Sequence, residues 1–351
     1  RMRVAVAMSG GVDSSVVAGL MARAGHEVVG ITLQLYDHGG AAARKGACCA
    51  GQDIYDARRV ADRLGIAHYV VDAQARFRDS VIGSFADSYA AGQTPVPCIA
   101  CNQHLKFGDL LGMARDFGAQ ALATGHYVRR VEAADGAQMH KAADEARDQS
   151  WFLFATTREQ LEFCRFPLGD YAAKADVRRL AAEMGLAVAE KPDSQDICFV
   201  PTGAYADIIE KIRPEALIPG DIVDAAGVVV GRHEGIARYT IGQAKRLGNA
   251  AQIGGQRQAV QQIDAATRRI TIGPGAAQRT RIRLRDTNWL TAAPPVAGRV
   301  KLRARDELRP AQVGADAQGA FLDLHSAAIA APGQAAVLYD GTRVLGGGFI
   351  A

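Results

Sequence analysis

Cysteine is scarce in this 351-residue chain, with six in all, at positions 48, 49, 98, 101, 164 and 198. So few thiols in so long a chain exclude a secreted disulfide scaffold. They point to a reducing compartment, where cysteines pack, bind metal or catalyse. Zinc-finger spacing is missing too: CxxC occurs once, at Cys98 and Cys101, with no second CxxC and no HxxxH. No apolar run is long enough to span a bilayer, because Asp, Arg, Lys or His interrupts every stretch. The opening RMRVAVAMSGG lacks the h-region and cleavage site of a signal peptide, so a cytoplasmic protein with no membrane partner is expected. Neither GxxxxGK nor GxGxxG occurs, which excludes two common glycine-rich phosphate-loop patterns. A large excess of one charge is also missing, the net being +4. The balance is nonetheless uneven. Residues 268–310 carry eleven Lys or Arg against Asp286, Asp306 and Glu307, a local +8 that suggests a polyanionic partner.

What is present is an ordinary globular composition, 48% apolar and 22% charged, in a chain long enough for two or three domains. RVAVAM at 3–8 is a short valine-rich run, the pattern of a buried parallel strand. It passes through SGGVDSS into VVAGLMARAG, which is apolar at helical spacing and stopped by Gly25. EVVGITLQL (27–35), AHYVVDA (67–73) and AQALATGHYV (119–128) read as further strands, with helices predicted over 53–65 and 105–117. This alternation predicts an α/β domain with a parallel sheet over 1–202. HGGAAARKGACCAG (38–51) is too rich in Gly and Ala for an element and reads as a mobile loop. Past a helix at 204–212 the pattern changes to short strands with turn signals. A small β-rich domain is expected at 203–272, and an all-β domain at 273–351.

SGGVDSS (9–15) is an anion site by construction. Backbone N–H groups of Gly10, Gly11 and Val12 can face a phosphate at a helix N-terminus, and Ser9 and Ser14 add hydroxyls. Asp13 among them makes sense chiefly if Mg²⁺ neutralises the ligand. A tight turn with a capping serine is the plain alternative, but its position directly after a buried strand favours nucleotide binding.

This loop resembles the pyrophosphate loop (PP-loop) of the N-type ATP pyrophosphatases. These leave AMP on a carbonyl-type oxygen and include GMP, NAD and argininosuccinate synthetases as well as tRNA-modifying enzymes. Other segments narrow the choice: TPVPCIACNQHLKFGDLL (94–111), ATGHYVR (123–129), DQSWFL (148–153), KPDSQDICFVP (191–201), GRHEGIARYTIGQ (231–243) and PGQAAVLYDGTRVLGGGFI (332–350). Together they resemble the tRNA-specific 2-thiouridylases from residue 3 to the C-terminus. The resemblance implies a Rossmann-like, adenine nucleotide alpha hydrolase-like PP-loop domain, a small β-rich domain and a C-terminal β-barrel that binds tRNA. It implies ATP and Mg²⁺ as cofactors. It also implies a sulfur-relay protein or cysteine desulfurase as persulfide donor.

The chemistry gives the cysteines a purpose. Replacing O2 of uridine by sulfur needs an activated oxygen, which adenylation supplies, and a sulfur nucleophile, which a persulfide carries. The resemblance places the nucleophile at Cys101 and the persulfide at Cys198, closing as a Cys101–Cys198 disulfide that a reductant reopens. A buried apolar thiol is the plain reading of Cys198 taken alone. Many members have Asp where Cys98 stands, and a thiol is a poorer acid–base partner. Cys98, Cys101 and Cys198 could therefore also ligate an iron–sulfur cluster, and that alternative stays open here.

The resemblance further implies that Ala7, Met8, Ser9, Gly10, Gly11, Val12, Asp13 and Ser14 hold ATP phosphates. Leu33 would lie near the adenine, and Gly125 would admit the nucleotide. Val96, where the family usually has Asn, would line the flipped base with Pro97 and Cys98. His126 would touch RNA, or else be a satisfied core histidine. Arg147, Asp148 and Gln149 would contact tRNA, and Gln334 the anticodon arm; a solvated loop and an ordinary turn are their plain readings. Arg279, Arg281, Arg283 and Arg285 alternate with inward residues, as do Arg299, Lys301, Arg303 and Arg305, so two strands would each present a cationic stripe. Arg303 and Ala304 match the family's RNA contact segment, with Ala304 smaller than the usual residue.

These observations predict ATP-dependent 2-thiolation of the wobble uridine of tRNA. A small-molecule amide-forming adenylating ligase and a non-enzymatic tRNA-binding module are the alternatives. Cys48, Cys49, Cys164 and His233 have no assigned chemistry.

Overall fold

The computed structural model describes residues 1–35, 51–193 and 205–351. Cys48, Cys49, Cys198 and most of the loop expected at 38–51 lie outside them.

The first layer is a five-stranded parallel sheet in the order β3-β2-β1-β4-β7. Its strands are β1 (Arg3–Ala7), β2 (Glu27–Gln34), β3 (Ala67–Asp72), β4 (Ala121–Ala123) and β7 (Cys164–Arg165). β1 runs through the middle, which is why Val4, Ala5 and Val6 are wholly buried and the strand reads as an unbroken apolar run. Helices α1 (Val12–Arg23) and α2 (Gly51–Leu64) cover one face, and α1 also packs on the helix Lys174–Glu183. The other face carries a helix spanning 97–116, whose Ile99, Phe107, Leu110 and Leu111 join the largest core cluster.

The segment 119–128, expected as one strand, stops at Ala123. The chain then bends at Thr124–Tyr127 and leaves the sheet as a hairpin, β5 (Val128–Ala133) and β6 (Gly136–Lys141). Periodicity could not show this break, because Val128 and Met139 stay buried in the new surroundings.

Five more strands follow: β8 (Gly220–Val223), β9 (Val229–His233), β10 (Gln252–Ile253), β11 (Gln256–Asp264) and β12 (Arg269–Pro274). They form a second sheet around Ile222, Val260, Ile270 and Ile272. The last six strands are β13 (Arg279–Trp289), β14 (Ala297–Lys301), β15 (Arg309–Asp316), β16 (Gly319–Ala328), β17 (Ala335–Asp340) and β18 (Arg343–Ile350). They close into a barrel in the order β13-β16-β15-β14-β17-β18, with β18 pairing back to β13. Closure removes the sheet edges that would otherwise invite pairing with other chains.

The β5–β6 hairpin lies against β18, so the first unit and the barrel share a sheet. Polar side chains lock this seam. Tyr339, fully buried in the barrel, meets Ser150 Oγ through its hydroxyl at 2.8 Å, and Asn288 donates to the carbonyls of Phe154 and Thr156 at 2.7 and 2.8 Å. No helix among the described residues is long and apolar enough to cross a membrane.

Candidate active site

A cavity of about 360 Å³ opens at the C-terminal ends of β1, β2 and β4, where an open parallel sheet ordinarily receives its ligand. One wall is the turn from β1 into α1. There the Ser9 N–H donates to Ser14 Oγ at 3.1 Å, and the two hydroxyls lie 3.2 Å apart. Ser15 Oγ is turned away and donates to the Gly11 carbonyl at 2.7 Å. Gly11 is the N-cap and no side chain caps α1, which leaves the first turn open to an anion. Gly10 has φ +80°, and a Cβ there would lie 2.2 Å from the Asp53 carbonyl oxygen, so the loop is pressed onto the start of α2.

Two lysines brace this loop. Lys191 Nζ donates to the Gly10 carbonyl at 3.1 Å, to Asp56 at 2.6 Å, and to Asp53. Burial pulls its pKa down, but hydrogen bonds to Asp53 and Asp56 outweigh that and hold it above the ordinary lysine value. Lys174 Nζ lies 2.5 Å from Asp13 and 3.0 Å from Asp193. Asp193 also receives Arg147 at 2.6 Å and Arg178 at 3.1 Å. Its carboxyl is raised by burial, yet Lys174 and Arg147 bring it below the usual carboxylate range. Tyr127 closes the network by donating to Asp13 at 2.7 Å; burial and the Asp13 charge raise its pKa far above the ordinary phenol value.

The opposite wall is the 97–116 helix. Pro97 stands at its first turn, as suits a residue without an N–H, and the helix widens to a π-helical winding over Cys101–Leu110. Cys101, half-buried, lines the cavity. Cys98, one turn earlier, is exposed and does not line it, nor do Val96 and Pro97. Beside Cys101, Asn102 Nδ2 reaches the Phe152 carbonyl at 3.4 Å, which orients its Oδ1 as acceptor for His126 Nε2 at 3.1 Å. The proton is therefore on Nε2, and Nδ1 accepts from the Thr124 hydroxyl at 2.8 Å. Burial, and after it the charge of Lys106, holds His126 well below the ordinary histidine pKa, so the ring is neutral.

The cavity gathers the expected Ala7, Met8, Ser9, Gly11, Val12, Asp13, Ser14, Leu33 and Gly125, with Gly10 directly behind. Other positions have different surroundings from those expected. His126 lines the cavity, but both its ring nitrogens are spent within the protein. Asp148 is no solvated loop residue: it accepts from Ala142 N, Ser150 N and Ser150 Oγ, organising the turn that leads to Tyr339. Gln149 accepts the Tyr127 N–H at 2.9 Å. Gln334 donates to the Thr94 carbonyl at 3.2 Å, and the Thr94 N–H donates to the Pro332 carbonyl at 2.8 Å, so the barrel grips the segment just before Cys98.

The cationic stripes need correcting. β13 does place Arg279, Arg281, Arg283 and Arg285 outward, with Ile282 and Leu284 inside. However, Arg281 pairs doubly with Asp323 of the neighbouring β16 and Arg283 with Asp316 at the end of β15, the next strand over, and Arg285 pairs with Asp286. Arg283 in turn lowers the Asp316 carboxyl to about 2. The second stripe ends early, because β14 stops at Lys301; Arg303 and Arg305 lie in the bend after it. Ala304 packs partly against the main core.

Lys174, Lys191, Asp193, Asn102 and Thr124 escaped the reading of the sequence. Lys191, Asp193, Asn102 and Thr124 do stand inside quoted motifs, so the signal was present; Lys174 carried none. The surroundings of Asp13 fit a second cation poorly, since Lys174 already sits on the same oxygen as Tyr127. Among the described residues no cluster of three His, Cys, Asp or Glu is arranged to hold a metal. The three-cysteine cluster includes Cys198, which lies outside them.

Comparisons with known proteins cover the whole chain. Residues 2–202 match the "tRNA methyl transferase HUP domain" family, residues 206–274 the "tRNA methyl transferase PRC-barrel domain" and residues 279–350 the "Aminomethyltransferase beta-barrel domain". A tRNA-specific 2-thiouridylase MnmA of Acidiphilium cryptum is 64% identical over 99% of this chain and 100% of its own length. The protein of the same name in Gluconobacter oxydans is 63% identical over 99% of both chains. The domain descriptions and the relatives' names differ in the group transferred. The relatives match over their full length at high identity and are the more specific.

Proposed function

The chain belongs to the tRNA-specific 2-thiouridylase family, and from that premise we propose how its residues thiolate the wobble uridine of tRNA at the expense of ATP. One observation carries the reading: Cys101 and the open N-terminus of α1 are walls of the same cavity. An anion cradle and a thiol in one space suit adenylation followed by sulfur transfer, whereas an amide-forming ligase has no use for the thiol.

The α1 first turn, with Ser9 and Ser14, holds the phosphates of ATP, and the apolar side chains of Met8 and Leu33 face its base. Lys191 keeps the Gly10 carbonyl turned away from that charge. Any Mg²⁺ travels with the triphosphate and is not held by Asp13, whose role is to anchor Lys174. Uridine O2 attacks the α-phosphorus and pyrophosphate leaves, so that C2 carries an adenylate. The terminal sulfur of a Cys198 persulfide then attacks C2, and AMP departs with the former O2. The Cys101 thiolate attacks the Cys198 sulfur, whose bond to the transferred sulfur breaks, leaving its electrons on what becomes 2-thiouridine. A Cys101–Cys198 disulfide remains and an external thiol reduces it.

Asp193 is on the cavity wall and Cys198 follows five residues later, so the chain keeps their Cα atoms within about 18 Å. The different settings of Cys98 and Cys101, one exposed and one on the cavity, support the persulfide route over a shared cluster. A persulfide-generating desulfurase or relay protein supplies the sulfur. Transfer of labelled sulfur into tRNA, scored beside AMP release, tests the reading. Adenylation that persists in Cys101→Ser while transfer stops agrees with it, and normal transfer in that variant rejects it.

A further inference from the structure

The motif GRHEGIARYTIGQ found no chemistry in the sequence, and the structure gives it a place beside a second cavity of about 550 Å³. His233 donates through Nε2 to the Arg268 carbonyl at 2.7 Å and accepts the Gly235 N–H at 3.0 Å, which fixes the start of the motif. Further along, Tyr239 OH donates to the Arg246 carbonyl at 2.9 Å and Gln243 Nε2 to the Lys245 carbonyl at 2.8 Å. These bonds hold a short rigid loop that presents Lys245 and Arg246, both exposed, over the cavity. Arg238 lines the same space, and its Nε is buried without an acceptor. Across from them lie Tyr89 and Tyr205, their ring centroids 6.3 Å apart, with Tyr205 partly exposed.

Among the described residues, Arg238, Lys245 and Arg246 form no ion pair, unlike Arg281, Arg283 and Arg285 of the barrel. Unpaired cations beside an aromatic face are the chemistry of a bound nucleic-acid strand: phosphate against the charges, base or ribose over the ring. Resting on the tRNA-thiolation reading, we propose that this cavity is an RNA docking site for a part of the tRNA away from the reacting uridine. A phosphate there is held by the charges of Arg238, Lys245 and Arg246, and Tyr205 provides the stacking surface.

The test is tRNA affinity as a function of salt for wild type, Lys245→Gln/Arg246→Gln, Tyr205→Ala and Tyr205→Phe, with Arg281→Gln/Arg283→Gln as contrast. Loss of two phosphate contacts lowers affinity about 25- to 60-fold at 0.1 M salt and flattens the slope of log K against log salt by about 1.4 to 1.8. Tyr205→Ala costs about 5- to 150-fold and Tyr205→Phe restores binding, as stacking requires. At saturating tRNA the turnover number of Lys245→Gln/Arg246→Gln matches wild type, because these residues line a cavity that shares no residue with the one lined by Cys101. The barrel double variant changes affinity less than the loop variant. If the loop variant binds with unchanged affinity and slope while wild type thiolates tRNA, the docking site is overturned and the thiolation reading stands. If wild type neither binds nor thiolates tRNA, the thiolation reading falls and the site with it.

Discussion

Replacing Gly10 by alanine probes the cradle with a single methyl group. The residue sits at φ +80°, a conformation that costs an L-residue about 1–2 kcal/mol. The added Cβ would also lie 2.2 Å from the Asp53 carbonyl oxygen, 2.7 Å from its carbon and 2.8 Å from its Cα. All three atoms are backbone, so no rotamer change relieves the clash. Either α2 or the loop must shift, which adds about 1–3 kcal/mol of overpacking. The total is about 2–5 kcal/mol, and moving Gly10 also breaks the bond from Lys191 to its carbonyl. Gly25→Ala is the control: φ is +79° there, but nothing lies within 4 Å of the new Cβ, so only the conformational cost remains. The assays are denaturant midpoints and the KM for ATP in both variants. Gly10→Ala is expected to lose more stability than Gly25→Ala by the overpacking cost and to raise the KM for ATP at least tenfold, with Gly25→Ala near wild type in KM. Equal losses in the two variants, with unaltered ATP affinity in Gly10→Ala, would show that contact with Asp53 does not shape the cradle.

Cys164 is buried in the core, and desolvation pushes its thiol up to about 12, so peptide mapping after brief alkylation at pH 8 should find Cys98 and Cys101 modified and Cys164 untouched until the protein unfolds. His126 has its folded pKa depressed below 6.5, so below pH 6.5 the unfolded chain binds a proton that the native one does not. Stability attributable to it is complete above pH 6.5 and falls as pH drops further, by at most about 1.4 kcal/mol per pH unit; His126→Gln should flatten the wild-type slope below pH 6.5 by no more than that. Gln334→Ala removes a bond to the Thr94 carbonyl and should lower stability by about 0.5–1.5 kcal/mol in chemical denaturation, a loss that an RNA-contact role alone does not predict.

Much of the fold was legible because it is local. A buried valine run, a glycine turn and a segment apolar at helical spacing announce the first β–turn–α unit, and alternation along β13 announces its inward face. What stayed hidden depends on distant neighbours. Nothing near Arg281 or Arg283 indicates that Asp323 and Asp316 will come within reach, because the registers of β13 on β16 and of β16 on β15 decide it. The departure of the β5–β6 hairpin toward β18 is hidden for the same reason, since an apolar residue has the same pattern whichever core receives it. Lys174 meets Asp13 from 161 residues away, and its helix shows only a charged N-terminus in sequence. His126 illustrates a different limit: its proximity to the glycine loop could be expected from the strand order, but its satisfied nitrogens required Asn102 and Thr124 to be seen in place.

In the proposed mechanism two thiols far apart in sequence, Cys101 and Cys198, carry sulfur to an adenylated uridine in the cavity beside α1. Single-turnover transfer of labelled sulfur from a persulfide donor into tRNA tests this, comparing wild type with Cys101→Ser and Cys198→Ser while following pyrophosphate release. The expected result is tRNA-dependent pyrophosphate release in all three proteins, labelled 2-thiouridine in wild type alone, and a Cys101–Cys198 disulfide in the spent wild-type enzyme. Labelled 2-thiouridine formed at the wild-type rate by either serine variant would contradict it.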